Sequence, residues 1–225
     1  MKSSKKMIVL LAMFMLAAFS VAQASIILVT APIGGNTVDW SSTGLPVGTQ
    51  LHGFLGFSAG GDTATATVAL PVTNKGELVQ QSNSAIVCPW CGNFAVGEDA
   101  IWTQNHGPLT VSFGDSYNFV GAYFQQNIFG AFTAKLQAFN GSTLLGSVTE
   151  SGVSNFAPGT AMFIGALDTA GASITKVVFS ETAGSGLADF AIATMYLGTP
   201  EPGTLVLLGS GLIGLAGFAR RRLSR

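Results

Sequence analysis

Hydrophobic and polar residues alternate along the middle of the chain, and this alternation predicts β-strands. The clearest case is residues 132–139, in which every second residue is apolar. The residues predicted to face inward are Phe132, Ala134, Leu136 and Ala138, and those predicted to face outward are Thr133, Lys135 and Gln137. Asn140-Gly141 follows at once and is a strong hairpin signal, so residues 144–149 are expected to form the returning strand.

Further short segments of strand character lie on both sides of this hairpin, separated by Gly, Asn, Asp, Ser and Pro. These predicted strands are residues 26–30, 64–70, 109–113, 119–124, 161–167, 174–180 and 190–197. Many short strands without helical segments between them predict an all-β fold, namely an antiparallel β-sandwich. A jelly-roll-like arrangement is the preferred form.

The first residues have the pattern of a secretory signal peptide. Three lysines precede an apolar run over residues 7–18, and the small residues Ala22 and Ala24 precede the expected cleavage site. We therefore expect signal peptidase to remove residues 1–24 during export. An uncleaved membrane anchor is the alternative, which the short length of the apolar run disfavours.

A second apolar segment occupies residues 203–219, with distinctive residues on both sides. Pro200, Glu201 and Pro202 precede it, and an arginine cluster follows it. The arginines of that cluster are Arg220, Arg221 and Arg222. As a helix this segment would span about 25 Å, near the lower limit for a bilayer core, so a single transmembrane helix is expected. The arginines should stay in the cytoplasm and leave the preceding residues outside.

Residues 200–225 resemble the PEP-CTERM sorting signal of exported bacterial proteins, in the order motif, apolar helix and arginine cluster. The resemblance implies a protein that is exported, anchored in the inner membrane, and then processed by an exosortase, a membrane cysteine protease. It implies that Pro200, Glu201 and Pro202 are the recognition motif, and that the mature form is at the cell surface or extracellular. The chain would then consist of a signal peptide (1–24), an extracytoplasmic β-sandwich domain (25–199) and a sorting signal (200–225).

The segment between the two ends is acidic. Residues 25–199 contain three lysines, no arginine and ten Asp or Glu residues, which is a formal charge of −7. This balance argues against nucleic-acid binding, because phosphates require basic surface. The length of this segment suits one domain with a sizeable core.

Cys88 and Cys91, in the sequence Cys-Pro-Trp-Cys, are the only cysteines of the chain. Such a pair can form a local disulfide, half of a metal site or a redox dithiol. Export to an oxidising compartment favours a structural disulfide. Redox use is disfavoured because the neighbouring residues are typical of a strand and a loop rather than of a helix start.

Residues 56–60 match G-x-S-x-G, the nucleophile motif of α/β-hydrolases, with Ser58 as its serine. That motif requires a strand before the serine and a helix after it, whereas alternating Thr and Ala follow here. His52 and His106 are the only histidines that could act as a base, and Asp99 precedes the second. A secreted hydrolase is therefore the least favoured function, and no catalytic residue is assigned.

Other residue types leave binding functions open. Asp115, Asp168 and Asp189 lie near predicted loops, where sandwich domains often bind calcium, but their spacing assigns no metal site or cofactor. Six aromatic side chains could stack on sugars, although such residues more often lie in a core. They are Trp40, Trp90, Trp102, Tyr117, Tyr123 and Tyr196.

The second half of the chain is similar to a β-sandwich module common in PEP-CTERM proteins. The similarity covers residues 109–124, 132–148 and 163–165 and the final strand from Phe190. In that module an Asp-Asn pair often continues the final strand, whereas Ala193 and Thr194 hold those places here. The resemblance implies no catalytic motif, and any ligand role of that pair would be lost.

We therefore predict a non-catalytic exported protein with a structural or adhesive role within exopolysaccharide or biofilm. A carbohydrate-binding module, calcium-assisted or not, is the alternative. The expected partners are an exosortase-type membrane protease, signal peptidase with the export machinery, and extracellular polysaccharide, but no nucleic acid.

Overall fold

The computed structural model describes the middle of the chain, at residues 25–50, 53–58, 60–68, 76–83, 90–171, 173–183 and 188–198. Thirteen β-strands and one 3-10 turn, Trp40–Thr43, make up its regular structure. The strands are β1 (Ile26–Val29), β2 (Asn36–Asp39), β3 (Gly53–Ser58), β4 (Thr63–Val68), β5 (Glu77–Gln80), β6 (Asp99–Trp102), β7 (Leu109–Tyr117), β8 (Phe119–Gln126), β9 (Gly130–Asn140), β10 (Thr143–Ser154), β11 (Met162–Asp168), β12 (Ile174–Ala183) and β13 (Phe190–Gly198).

The all-β prediction is confirmed, and every strand predicted from the alternation is present. Four strands were not predicted: β2, β3, β5 and β6. Three of them are only four residues long, and β3 contains two glycines, so none shows a clear alternation.

The strand ladders between these elements are antiparallel. The order along the sheet is β1-β11-β8-β13-β2-β3-β4-β7-β12-β9-β10, and β6 pairs with both β13 and β5. In this order, β8, β11 and β13 lie in one half, and β7, β9, β10 and β12 lie in the other. From β7 onward, consecutive strands therefore alternate between the two halves. The exception is the β9–β10 hairpin, in which two sequence neighbours pair.

Both halves of this strand order contribute residues to one hydrophobic core. Phe124 of β8 lies against Phe132 of β9, with their ring centroids 5.7 Å apart. Phe132, Ala134, Leu136 and Ala138 are all buried in this core, as their alternation predicted. The hairpin is also confirmed, and its two loop residues are Gly141, with φ of 57°, and Ser142.

A smaller hydrophobic cluster covers the opposite face of the sheet around β13. Ala191 and Ala193 belong to this outer cluster, whereas Ile192 belongs to the main core. Trp90 and Phe94, from the segment before β6, pack on the two alanines. Both faces of the sheet are therefore covered here, and residues 90–98 form a second layer on the outside.

Several predicted features lie outside the described residues. They are the signal peptide, with Ala22 and Ala24, and the sorting signal, with Pro200, Glu201, Pro202, Arg220, Arg221, Arg222 and the predicted transmembrane helix. Within the described residues, no helix has the length and apolar character needed to cross a bilayer.

Candidate binding cleft

An open cleft of about 430 Å³ lies on the outer face of the sheet, beside the outer cluster. One wall is the loop before β6, and the floor comes from β8 and β13. The residues that line it are Asn93, Ala95, Val96, Gly97, Glu98, Tyr123, Gly159, Ala161 and Tyr196. This volume is in the range of small-molecule sites, and the lining combines aromatic rings with a few polar groups.

Aromatic rings form the floor of the cleft. Tyr123 on β8 and Tyr196 on β13 pack edge to face, with ring centroids 6.1 Å apart. Phe163 on β11 packs edge to face against both tyrosines, at 5.3 and 5.7 Å. Edge-to-face contacts of this kind fix the orientation of each ring. The two tyrosine rings are therefore held in place. Both remain only half-buried.

Glu98 is the only charged residue among the described residues that line the cleft. Its Oε1 accepts hydrogen bonds from the backbone N–H of Thr194, at 3.2 Å, and from the hydroxyl of Thr194, at 2.7 Å. Its Oε2 accepts from the N–H of Ala95 at 3.0 Å. These three bonds anchor a carboxylate that remains partly exposed to the cleft.

The bond to Thr194 depends on an irregularity in β13. The first part of this strand pairs with β6 and the last part with β2, and the register with β8 shifts between Ile192 and Met195. At this break the carbonyl of Ala193 accepts from the indole N–H of Trp40 at 3.0 Å, and Thr194 binds Glu98. Ala193 and Thr194 thus hold Trp40 and Glu98 in place. Irregularities of this kind often orient side chains at functional sites.

A buried polar network attaches the wall of the cleft to the sheet. The side-chain oxygen of Gln125 on β8 accepts from the indole N–H of Trp90, at 3.1 Å, and from the backbone N–H of Asn93, at 2.7 Å. The amide of Asn93 in turn donates to Asn155 at 2.9 Å and to Thr160 at 2.7 Å. Since buried polar groups are costly to leave unpaired, this network fixes the loop that supplies Glu98.

Tyr196 stays a neutral phenol in this environment. Burial raises its pKa, and the neighbouring Tyr123, to which it is hydrogen-bonded, and the negative charge of Glu98 raise it further. Tyr196 therefore keeps its hydroxyl proton well above neutral pH and offers both a ring and a hydroxyl to a ligand.

Of the six aromatic residues considered as sugar-stacking candidates, only Tyr123 and Tyr196 line the cleft. Trp40 and Tyr117 are fully buried in the main core, and Trp90 is buried in the outer cluster. Trp102 packs on that cluster and donates to Asp189 at 2.6 Å. Four of the six aromatic residues therefore pack in or against the two hydrophobic clusters rather than in the cleft.

Ser58 does not lie in a nucleophile elbow. It is buried on β3, which continues through a turn into β4, so strand, turn and strand replace the strand, turn and helix of that motif. The Ser58 hydroxyl accepts from the backbone N–H of Asp62 at 3.0 Å. His52 lies outside the described residues, and the ring of His106 contacts the carbonyl of Gln104.

Two of the three aspartates considered for calcium have structural partners, and the third is exposed. Asp168 is the last residue of β11 and accepts from the N–H of Ala170 at 2.9 Å, whereas Asp115 is exposed on β7. Asp189 is buried and accepts from Trp102 and from Asn127. Among the described residues, no group of three or more His, Cys, Asp and Glu side chains is arranged to hold a metal ion.

A second carboxyl group near Asp189 has an unusual environment. Both side-chain oxygens of Glu181 on β12 are buried, and neither makes a hydrogen bond to the part of the chain that the structure describes. Burial, and secondarily the charge of Asp189, raise the pKa of Glu181 to about 8. Glu181 is therefore a neutral acid at pH 7.

Cys91 is disulfide-bonded and half-buried at the start of the cleft wall. Cys88 lies outside the described residues, so its predicted pairing with Cys91 stays a prediction.

Comparison with known protein families shows that residues 199–222 match the PEP-CTERM protein-sorting motif. The predicted resemblance at this end of the chain is thereby confirmed, and the motif indicates an exosortase-targeted exported protein. Comparisons with curated proteins and with solved structures find no match to this chain. The function of the folded domain must therefore be inferred from its own geometry.

Glu98 could not be recognised as a site residue from the sequence. It lies between Gly97 and Asp99 in a loop, and no motif distinguishes it from the other acids of the chain. The local sequence signal was Gly97, a residue type common in turns, which adopts a positive φ in the structure.

Proposed function

We propose that this protein is a non-catalytic, exported adhesin that binds extracellular polysaccharide through the cleft of Tyr123, Tyr196 and Glu98. The observation on which this rests is the combination of two fixed, half-exposed tyrosine rings with one anchored carboxylate in an open cleft. A sugar ring has apolar faces suited to aromatic contact and hydroxyl groups suited to a carboxylate.

The shape of the cleft supports binding of a chain rather than of an enclosed small molecule. It is open to solvent and lies on a broad sheet face, so a polysaccharide could cross it without an end having to enter. The polar groups are few and come from rigid elements, which is the arrangement expected of a preorganised binding site.

The exported location that the sorting motif indicates agrees with this function. An exosortase-targeted protein is exported and held at the membrane before processing, so its folded domain meets the extracellular matrix. In the proposed form this domain is a jelly-roll-like sandwich, whose strand order alternates between the two layers, and it has no catalytic residue. A purely structural matrix role is the second candidate, and the acidic, glycine-rich composition favours it.

The test is a glycan array probed with the mature protein purified from the exporting cells. We expect specific binding that falls at least tenfold in Tyr196→Ala and only a few-fold in Tyr196→Phe, because the phenyl ring keeps the stacking surface. Tyr117→Phe is unsuitable as a control because Tyr117 is in the core, so Asp115→Asn, an exposed change on β7, is used instead. No binding across the array, or equal binding by Tyr196→Ala, would favour the structural role.

A further inference from the structure

Glu98 has one acceptor position left for a ligand. A carboxylate offers about four lone-pair positions. Thr194 occupies two at Oε1 and Ala95 occupies one at Oε2, so the remaining position is on Oε2. Because the three bonds fix the carboxylate, a donor from the cleft meets an acceptor that is already oriented.

The negative charge of Glu98 has no basic neighbour in the described part of the cleft. None of the residues that line the cleft is Lys, Arg or His. The described lysines are Lys135 on β9 and Lys176 on β12, in the other half of the sheet, and Lys176 lies 4.6 Å from the ring centroid of Phe139. The charge contributed by the described residues that line the cleft is therefore negative.

The charge of the whole domain has the same sign. With three lysines against ten acids between residues 25 and 199, the domain repels anionic polymers and attracts cationic ones. A polysaccharide rich in uronic acids would thus meet repulsion both on approach and at the cleft.

We propose that the cleft is selective for polysaccharides that carry free amino groups, that is, de-N-acetylated hexosamine polymers, with Glu98 as the residue that determines this selectivity. This inference rests on the proposed function, since it names the ligand class of the same cleft. The ammonium group donates to the open position on Glu98 Oε2, and the sugar ring lies against Tyr123 and Tyr196. A charge-assisted bond of this kind is stronger than the bond from a hydroxyl, whereas an N-acetyl group in the same place offers only a neutral donor.

The experiment compares three oligosaccharides of matched length by isothermal titration calorimetry of the mature protein. They are a glucosamine hexamer, its fully N-acetylated counterpart and a hexamer of uronic acid. At pH 6 and low salt we expect the glucosamine hexamer to bind about tenfold tighter than the N-acetylated one, and the uronic acid hexamer to show no binding. Raising NaCl to about 0.5 M should reduce the preference to less than about threefold, because salt screens exposed charges.

The matched variants are Glu98→Gln and Asp115→Asn, which each remove one negative charge. We expect Glu98→Gln to reduce the ratio of the two affinities from about tenfold to less than about threefold, whatever its effect on the affinity for the N-acetylated hexamer, and Asp115→Asn to keep the wild-type ratio. If Glu98→Gln fails to fold, the salt dependence of the wild-type preference decides the question.

The outcomes separate the two proposals. Equal affinity of the wild type for the amine and N-acetylated hexamers, or a preference that survives high salt and Glu98→Gln, overturns the selectivity and leaves glycan binding in place. No binding of any hexamer by a folded wild-type protein overturns both.

Discussion

Gln125 shows at the scale of a single residue how a buried polar group positions the cleft. Its side chain is 1% exposed and makes three hydrogen bonds: it accepts from Trp90 and Asn93 and donates to the hydroxyl of Ser154 at 2.9 Å. A Cβ atom on Gly92 would lie 2.1 Å from the Gln125 amide, so the loop can approach this closely only with glycine there. The amide and the glycine together determine how the cleft wall sits on the sheet.

Gln125→Leu should destabilise the protein by about 2–4 kcal/mol, because it leaves the indole N–H of Trp90 and the backbone N–H of Asn93 buried without an acceptor. Urea unfolding followed by tryptophan fluorescence measures the change. The control is Gln137→Leu, a half-exposed residue on the outer side of β9, which should alter the free energy of unfolding by less than about 0.5 kcal/mol. A similar loss in both variants would contradict the role assigned to the network.

Two facing glycines set the spacing of the strands beneath the aromatic floor. Gly121 on β8 lies directly opposite Gly165 on β11, and the rings of Phe163 and Phe119 cover them. A Cβ on Gly121 would lie 2.5 Å from Phe163 and 2.9 Å from the backbone of Gly165. The absence of side chains at this point lets Phe163 lie flat enough to support Tyr123 and Tyr196.

Gly121→Ala should therefore destabilise the protein by about 1–3 kcal/mol and weaken ligand binding, because Phe163 must move away from the two tyrosines. Thermal unfolding and calorimetric titration with the glucosamine hexamer measure the two effects. Gly53→Ala on β3 is the matched control, since its Cβ would meet nothing closer than 3.8 Å. The assignment fails if Gly121→Ala unfolds and binds as the control does.

The stability of the whole domain should depend on pH through Glu181. In the unfolded chain this group loses its proton near its ordinary pKa of 4.5, whereas in the folded protein it keeps the proton up to about pH 8. Between these values the folded state binds more protons than the unfolded state. The free energy of unfolding therefore falls as the pH rises from about 4.5 to about 8, and this contribution is constant outside that window.

Glu181→Gln should reduce this fall in the free energy of unfolding, because the amide resembles the neutral acid and cannot ionise. Melting temperatures at pH 4.5 and pH 8 measure this effect. At pH 4.5 the melting temperature of the variant should equal that of the wild type within about 2 °C, and at pH 8 it should be higher than that of the wild type. Asp115→Asn, at an exposed position on β7, should leave the wild-type pH dependence unchanged. An identical fall in wild type and Glu181→Gln would refute the explanation.

Sequence periodicity was sufficient to predict nine of the thirteen described strands, because alternation is a local property of a chain with one face buried. Residues 132–139 illustrate this, since each predicted inward residue is in the core. The hairpin at Asn140-Gly141 and the sorting motif at residues 199–222 are likewise local patterns. The strands β2 and β6 could not be predicted in this way, since each has four residues and takes its place from pairing with β13.

The all-β class and the sorting signal could thus be read from the sequence, whereas the position of the binding cleft follows from the tertiary structure. Glu98, Tyr123 and Tyr196 come from a loop, β8 and β13, and long-range strand pairing brings them together. The same pairing buries Trp40, Trp90 and Tyr117, which are also aromatic, and leaves the two tyrosines only half-buried. The physical reason is that a residue's exposure and neighbours depend on which distant strands pack beside it, and no short segment of sequence contains that information.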